Sequence, residues 1–310
     1  MTPSPIMPAA PYCDLQVNGF AGVDFQRDDV DAAALDRAMD GLLRHGTGKI
    51  LLTLITDHAD VLCRRLEHFR KLRDASPLAR EVIAGFHLEG PWLLPEPGYH
   101  GAHDPRRMSA PDLRMFDLFQ EAAGGLLRLV TLAPELPGSP DLIAHAASRG
   151  VKTAIGHSNA SDAAIDAAIR AGMTLCTHVG NGVPVTLHRH DNVIQRVLAR
   201  DELTAVFIPD GIHLPPGVLR NFVRAKPPGK VIFTTDCMAA AGGGPGRYSL
   251  AQVEVEVGED GVVREPGKET FAGSSLTMDR AAENVRSFLG WSREDAVAAC
   301  STGVANALGL

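Results

Sequence analysis

No stretch of this chain approaches the apolar length of a membrane span, and its first residues, Met1 to Pro11, have neither the positive charge nor the apolar run of a signal peptide. A basic block is lacking too. The 30 Lys and Arg stand against 37 Asp and Glu, and the resulting formal charge of −7 is spread along the chain. That distribution argues against nucleic acid and against a membrane surface, and for a small-molecule partner. Cysteines are few, odd in number and scattered: Cys13, Cys63, Cys176, Cys237 and Cys300 have the close spacing of neither a structural zinc site nor a redox pair. They read as reduced thiols of a cytoplasmic protein. There is no internal repeat and no low-complexity segment.

What the chain does have is 310 residues with 45% hydrophobic content, ample for one large core spanning 1–310 as a single domain. Eight short β-rich runs alternate with helical stretches: Asp14 to Val17, Ile50 to Ile55, Val82 to His87, Leu127 to Leu132, Val151 to Ile155, Thr174 to Thr177, Thr204 to Ile208 and Val231 to Thr234. Helical stretches such as 31–44, 61–74, 141–149, 162–171 and 216–225 mostly open on an Asp or Pro. Strictly alternating strands and helices predict an α/β fold, a closed (β/α)₈ TIM barrel. After the eighth run the pattern changes. The alternation from Tyr248 to Val263 around Gly258-Glu259-Asp260-Gly261 predicts a β-hairpin insertion over 247–265, and the alanine-rich tail, 277–289 and 293–308, predicts helices packed on the outside of the barrel.

Active sites of such barrels lie at the C-terminal ends of the strands. Glu89, His157, His178, His213 and Asp236 each sit just past one of the β-rich runs, so the barrel would gather them at one rim. Glu89 stands where Gly90-Pro91 ends its run; alone it could equally cap a loop or pair with an arginine. His87, two residues earlier and inside the run, reads as a packed or supporting residue. His157 and His178 occupy equivalent places in successive βα units, so adjacent strands would hold two imidazoles side by side. Joined by Glu89, they favour one divalent metal, with zinc the expected ion. Two histidines and a carboxylate leave a coordination position for water, whose pKa zinc can lower to about 7. The water needs a base. Asp236, at the tip of the last run, fits that role, its alternative being an N-cap or salt-bridge partner.

Other polar groups suit the holding of a substrate. His103, on a Gly/Pro-rich loop, could polarise a carbonyl or simply be solvated. Asn181 and Gly182 offer an amide and an open backbone. Arg189, within His188-Arg189-His190-Asp191, could bind a phosphate or carboxylate in bidentate fashion or lie on an exposed charged loop. His213 would face the same cavity. Strand one offers Gln16 and Asn18 where histidines would complete a second metal site, and amides are weak ligands, so a single metal is expected.

Over nearly the whole chain, the segments Asp14-Leu15-Gln16-Val17-Asn18-Gly19, His87-Leu88-Glu89-Gly90-Pro91, Gly101-Ala102-His103, Gly156-His157-Ser158-Asn159-Ala160, Thr177-His178 with Asn181, Asp210-Gly211-Ile212-His213, Thr235-Asp236 and Ala272-Gly273-Ser274-Ser275-Leu276-Thr277-Met278 resemble the amidohydrolase superfamily, and within it the N-acetylglucosamine-6-phosphate deacetylases. The resemblance implies that Glu89, His157 and His178 hold the metal, that Asp236 is the acid and base, and that His103 assists the substrate carbonyl. It further implies that Asn181, Gly182, Arg189 and His213 contact an anionic amino sugar, that Gln16 and Asn18 mark a single-metal member, and that the protein is a homodimer. Two departures stand out. Family members carry a small β-sandwich beside the barrel, and here most of it is expected to be lacking. The loop from Gly180 to Asn192 also differs, with Gly180 where an aromatic is usual. Hydrolysis of another N-acyl amine or a cyclic amide is therefore the alternative activity, and a non-catalytic metal-binding barrel the alternative class.

Overall fold

The computed structural model describes residues 11–251, 253–266 and 271–310. Its strands β1 (Tyr12–Val17), β2 (Thr47–Ile55), β3 (Ile83–Glu89), β4 (Leu127–Leu132), β5 (Lys152–Ile155), β6 (Leu175–Cys176), β7 (Thr204–Phe207) and β8 (Val231–Phe233) form one eight-stranded sheet in sequence order, every neighbouring pair parallel. The seam between β8 and β1 is drawn together just past the strand ends. Val17 and Cys237 make a parallel bridge, and Asn18 N–H donates to Cys237 O at 2.8 Å. Deeper down, the buried Asp14 accepts from the hydroxyls of Thr234 and Thr235. The sheet is thus a TIM barrel whose closure depends on one carboxylate as well as on ladder bonds.

Helices α1 (Ala32–Arg44), α2 (Ala59–Ala75), α3 (Pro77–Val82), α4 (Leu113–Ala122), α5 (Ser139–Ser148), α6 (Asp162–Ala171), α7 (Val193–Leu198) and α8 (Pro216–Arg224) lie in the connections. Asp31 caps α1 by accepting from Ala34 N–H, as its place in the sequence predicts, whereas α6 is capped by Ser161, with Asp162 one residue inside. Val82, expected to open β3, ends α3 instead; helix runs directly into strand, and β3 extends to include Glu89 itself.

Two parts of the tail differ from expectation. The segment read as one hairpin is a four-stranded antiparallel sheet, β9 (Gly246–Leu250), β10 (Val253–Val257), β11 (Val262–Arg264) and β12 (Phe271–Ser274). The Gly258–Gly261 turn does join β10 to β11, but the alternating segment also contains β9, which pairs with β10 as a strand of its own, and β12 lies beyond the segment read as the hairpin. β12 is anchored to the barrel through a bridge between Ser274 and Cys237. The helical tail is three helices, α9 (Met278–Leu289), α10 (Arg293–Ala299) and α11 (Thr302–Leu308), broken at Cys300 and Ser301. The last does not pack on the outer ring. Val304 and Leu308 of α11 cluster with Cys13, Leu15, Leu51, Leu129, Ala154, Leu175, Val206 and Ile232, residues contributed by seven of the eight strands, so the helix plugs the end of the barrel opposite the site. An amphipathic helix reads the same in sequence whether it lies on the wall or over the mouth.

Candidate active site

Three of the residues at the C-terminal rim pay for their position in backbone geometry. His157, His178 and Asp236 have φ of 50, 24 and 49°, the left-handed region that costs a non-glycine residue about 1–3 kcal/mol. His157 and His178 each stand two residues past the end of their strand, which is why the same sequence offset produces the same geometry. Their rings lie 5.0 Å apart, nearly perpendicular.

Glu89 joins them. Its Oε1 is 2.8 Å from His178 Nε2 and 3.3 Å from His157 Nε2, and all three side chains are buried. Burial opposes ionisation of Glu89, but the surrounding His103, His157 and His178 outweigh it and hold the carboxyl well below the usual carboxylate range. For His178 the charge of Glu89 similarly outweighs burial and raises the imidazole. His157 is different: burial, and next the neighbouring His103, push it down to about 4, so it is neutral at ordinary pH. Its Nδ1 lies 2.7 Å from the carbonyl oxygen of Tyr99, which can only accept, so the single ring proton sits on Nδ1. Nε2 therefore presents a lone pair to a carboxylate oxygen. Two lone pairs facing at that distance in a buried place fit a cation between them, and Glu89, His157 and His178 are also the one group among the described residues whose ligand atoms cluster within 4.8 Å. The donor set, two imidazoles and a carboxylate, suits a divalent metal.

Asp236 faces this cluster across the rim. Asn18 Nδ2–H donates to its Oδ1 at 2.8 Å, while Asn18 Oδ1 has no partner among the described residues. Burial, and then repulsion from Glu89, push Asp236 up to about 7, a value suited to a group that must take up and return a proton near neutrality. His103 Nε2 lies 3.6 Å from the other oxygen of Glu89, and its ring is edge-on to His157 with centroids 4.5 Å apart.

A cavity of about 850 Å³ opens over these groups. Asn18, Glu89, His103, His157, His178, Asn181, Gly182, His213 and Asp236 all line it. Gly182 has a second use: at φ 63° its absent Cβ leaves the room that His157 occupies, since a Cβ there would meet Nδ1 at 2.8 Å, and a Cβ at Gly101 would meet Cε1 of the same ring at 2.9 Å. His213 is held by Asp210, whose carboxylate is 2.5 Å from Nδ1.

Two of the expected residues lie elsewhere. Gln16 is wholly buried below the rim, where its Oε1 accepts from Thr177 Oγ1 at 3.2 Å. Arg189 is exposed and is not among the cavity-lining residues. Its neighbours explain the placement: Asn192 caps α7 and also donates to His188 O, which fixes the base of the loop while Arg189 stands at its outer turn. His87, as its position inside the run suggests, is packed within the barrel between the hydroxyls of Thr53 and Thr131.

Sequence reading passed over three supporting residues. Thr56 and Asp57 follow β2, and Glu135 follows β4, so the rule that found Glu89 and the histidines would have found them had it been applied to every strand. Thr56 Oγ1 lies 2.9 Å from His103 Nδ1. Asp57 pairs with Arg65 and Arg107. Glu135 accepts from Ser158 Oγ–H and Asn159 N–H, fixing the turn just after His157.

No protein-family model matches the sequence. It is 32% identical over 299 residues to the N-acetylglucosamine-6-phosphate deacetylase of Bacillus subtilis (strain 168), covering 96% of this chain and 74% of that protein. It is 30% identical over 300 residues to the N-acetylgalactosamine-6-phosphate deacetylase of Escherichia coli O157:H7, covering 96% and 77%. Among solved structures, that of a Mycobacterium smegmatis N-acetyl-D-glucosamine-6-phosphate deacetylase mutant in complex with N-acetyl-D-glucosamine-6-phosphate superposes with a TM-score of 0.86 at 32% identity, covering 97% of this chain and 77% of that one.

Proposed function

The chain belongs to the N-acetylglucosamine-6-phosphate deacetylase family, and from that premise we propose that it hydrolyses the acetamide of N-acetylglucosamine 6-phosphate to glucosamine 6-phosphate and acetate. The observation that carries the reading is the facing pair of Glu89 and the Nε2 lone pair of His157, with Asp236 opposite in the same cavity.

Glu89, His157 and His178 would hold one divalent ion, which we take to be zinc; when bound, it supplies Lewis acidity and lowers the pKa of a water molecule. Asp236 takes a proton from the attacking water and returns it to the nitrogen of the departing amine, so that acetate and amine leave with the proton count balanced. Asn18 restrains one oxygen of Asp236 and leaves the other for the transfer. His103 donates to the acetyl carbonyl oxygen as negative charge develops there. Asn181, Gly182 and His213 contact the sugar, and Arg189 the phosphate. We extend the proposal to a cytoplasmic homodimer.

The second reading, hydrolysis of another N-acyl amine or a cyclic amide, is favoured by one observation: Arg189 stands outside the cavity. A non-catalytic barrel gives Asp236 no use. Acetate release by the zinc-loaded protein tests the assignment, with Asp236→Asn as blank and with unphosphorylated N-acetylglucosamine and N-acetylgalactosamine 6-phosphate alongside. The proposal expects release that requires both Asp236 and the phosphate, and fastest with the gluco sugar; no release above the blank would overturn the substrate.

A further inference from the structure

The two histidines whose rings meet edge-on in this site, His103 and His157, are given opposite proton placements by the groups behind them. Behind His157 Nδ1 is a carbonyl oxygen, that of Tyr99, and a carbonyl can only accept. Behind His103 Nδ1 is Thr56. The backbone N–H of Thr56 donates to that nitrogen at 3.4 Å, and an N–H can only donate, so Nδ1 must carry a lone pair. The hydroxyl can serve the same lone pair: Thr56 Oγ1 lies 2.9 Å from His103 Nδ1 and 3.3 Å from Glu89 O, so with Nδ1 bare its proton has two acceptors within reach. The far side of the ring agrees, since Nε2 faces Glu89 Oε2 at 3.6 Å, a neighbour that welcomes an N–H and repels a lone pair.

We propose that Thr56 is the positioning residue that sets the tautomer of His103, keeping its proton on Nε2, where the ring can donate a hydrogen bond to the carbonyl oxygen of the substrate. Neither residue belongs to a regular element that would fix it alone. His103 lies in the long connection between β3 and α4, and the tether has two points: Thr56 holds the ring, and the next residue, Asp57, pairs with Arg107 at 2.9 Å at the far end of the same turn. Asp57 is itself backed by Arg65 at 3.0 Å. Consecutive residues after β2 thus clamp both ends of the segment from His103 to Arg107. The same logic separates the two rings by chemistry: a carbonyl behind Nδ1 makes His157 a ligand, and an N–H and a hydroxyl behind Nδ1 make His103 a donor.

The catalytic half of this inference rests on the deacetylase reading; the tautomer does not. The test therefore has two arms, on zinc-loaded protein. In the first, long-range proton–nitrogen NMR of ¹⁵N-histidine-labelled protein, assigned by loss of signals in His103→Gln, is expected to find His103 protonated at Nε2 and bare at Nδ1. Thr56→Val should shift or broaden that pattern and Thr56→Ser should restore it. A proton on Nδ1 in the unmodified protein, or a Thr56→Val spectrum identical to it, overturns the proposal whatever the substrate. In the second arm, kcat of Thr56→Val should fall roughly ten-fold, the worth of one ordinary hydrogen bond, with KM little changed and with Thr56→Ser close to the parent. Equal losses in Val and Ser variants, or a loss confined to KM, would make Thr56 merely structural.

Discussion

His157 Nδ1 and the carbonyl oxygen of Tyr99 lie 2.7 Å apart, and the contact exists because two glycines, Gly101 and Gly182, leave the ring a slot. The Tyr99 carbonyl orients the imidazole, and the glycines determine whether it fits.

Filling the slot should therefore weaken metal binding without touching a ligand. Gly182→Ala places a methyl 2.8 Å from Nδ1 at a φ of 63°, so the ring must move. Supporting residues of this kind typically govern metal affinity by 10–100-fold. We expect a loss in that range, read by chelator competition, with Gly101→Ala behaving alike. Direct replacement of a ligand, Glu89→Gln or His178→Ala, should go further and take metal content from one ion per protein molecule to a small fraction by elemental analysis.

Asn18 should matter through Asp236. Its Nδ2–H is the one side-chain hydrogen bond to the Asp236 carboxylate among the described residues. Asn18→Ala frees the carboxylate to rotate and is expected to lower kcat by about ten-fold, with KM held within about two-fold, a loss of one charge-assisted hydrogen bond. Asn18→Asp should be worse, because a second carboxylate beside Asp236 favours the protonated base. Steady-state kinetics on the two variants decides; an Ala variant with parental kcat would remove Asn18 from the machinery.

A pH effect of definite sign follows from burial. Asp236 is pushed from 3.8 up to about 7, by burial first and then by Glu89, and Asp14 up to about 6, chiefly by burial. Between the unfolded and folded values the native protein holds protons that the unfolded one has released, so each group makes the metal-free protein less stable as pH rises through that window. For Asp236 the window runs from about 4 to about 7. Urea melts in chelator at pH 5 and pH 8 should show the parent losing stability relative to Asp236→Asn by on the order of a few kcal/mol. Zinc offsets the charge of Glu89 and should remove much of that difference. Parallel behaviour of parent and variant would refute the burial argument.

The barrel was legible because eight β-rich runs alternate with helices, and the rim because its residues stand at, or within three residues past, the C-terminal ends of the strands. Glu89 closes its strand, His157 and His178 stand two residues past theirs and Asp236 three, and the structure brings them together. What sequence did not carry was the third dimension of short or irregular pieces. β9 and β10 fall within one alternating segment, so alternation does not show where one strand ends and the next begins, and α11 has one apolar stripe that suits a wall or a mouth equally well. Tyr99 acts through a backbone carbonyl and Thr56 in part through a backbone N–H, groups that nearly every residue possesses. A sequence marks chemistry at side chains; the backbone partners that choose between the two nitrogens of an imidazole leave no mark.

Arg189 is where sequence and structure pull apart, and it makes the sharpest test of substrate. The residue is exposed on the loop before α7, beside His188 and His190, while the cavity, lined among others by Asn181, Gly182 and His213, does not include it. If the arginine engages the phosphate, the bond is charge-assisted and worth about 1.5–3 kcal/mol, so Arg189→Ala should raise KM for the phosphorylated sugar by roughly 10–100-fold. kcat should stay near the parent value, because an anchor remote from the scissile amide binds ground state and transition state alike. The unphosphorylated sugar supplies the control: its kcat/KM should be unmoved by the substitution. The parent's preference for phosphate should also weaken as salt is raised, since an exposed guanidinium is screened. An unchanged KM in Arg189→Ala would mean that the anion is recognised elsewhere on the rim. A parent that never preferred the phosphorylated sugar would turn the search towards uncharged acyl amines, with the metal and Asp236 still in place.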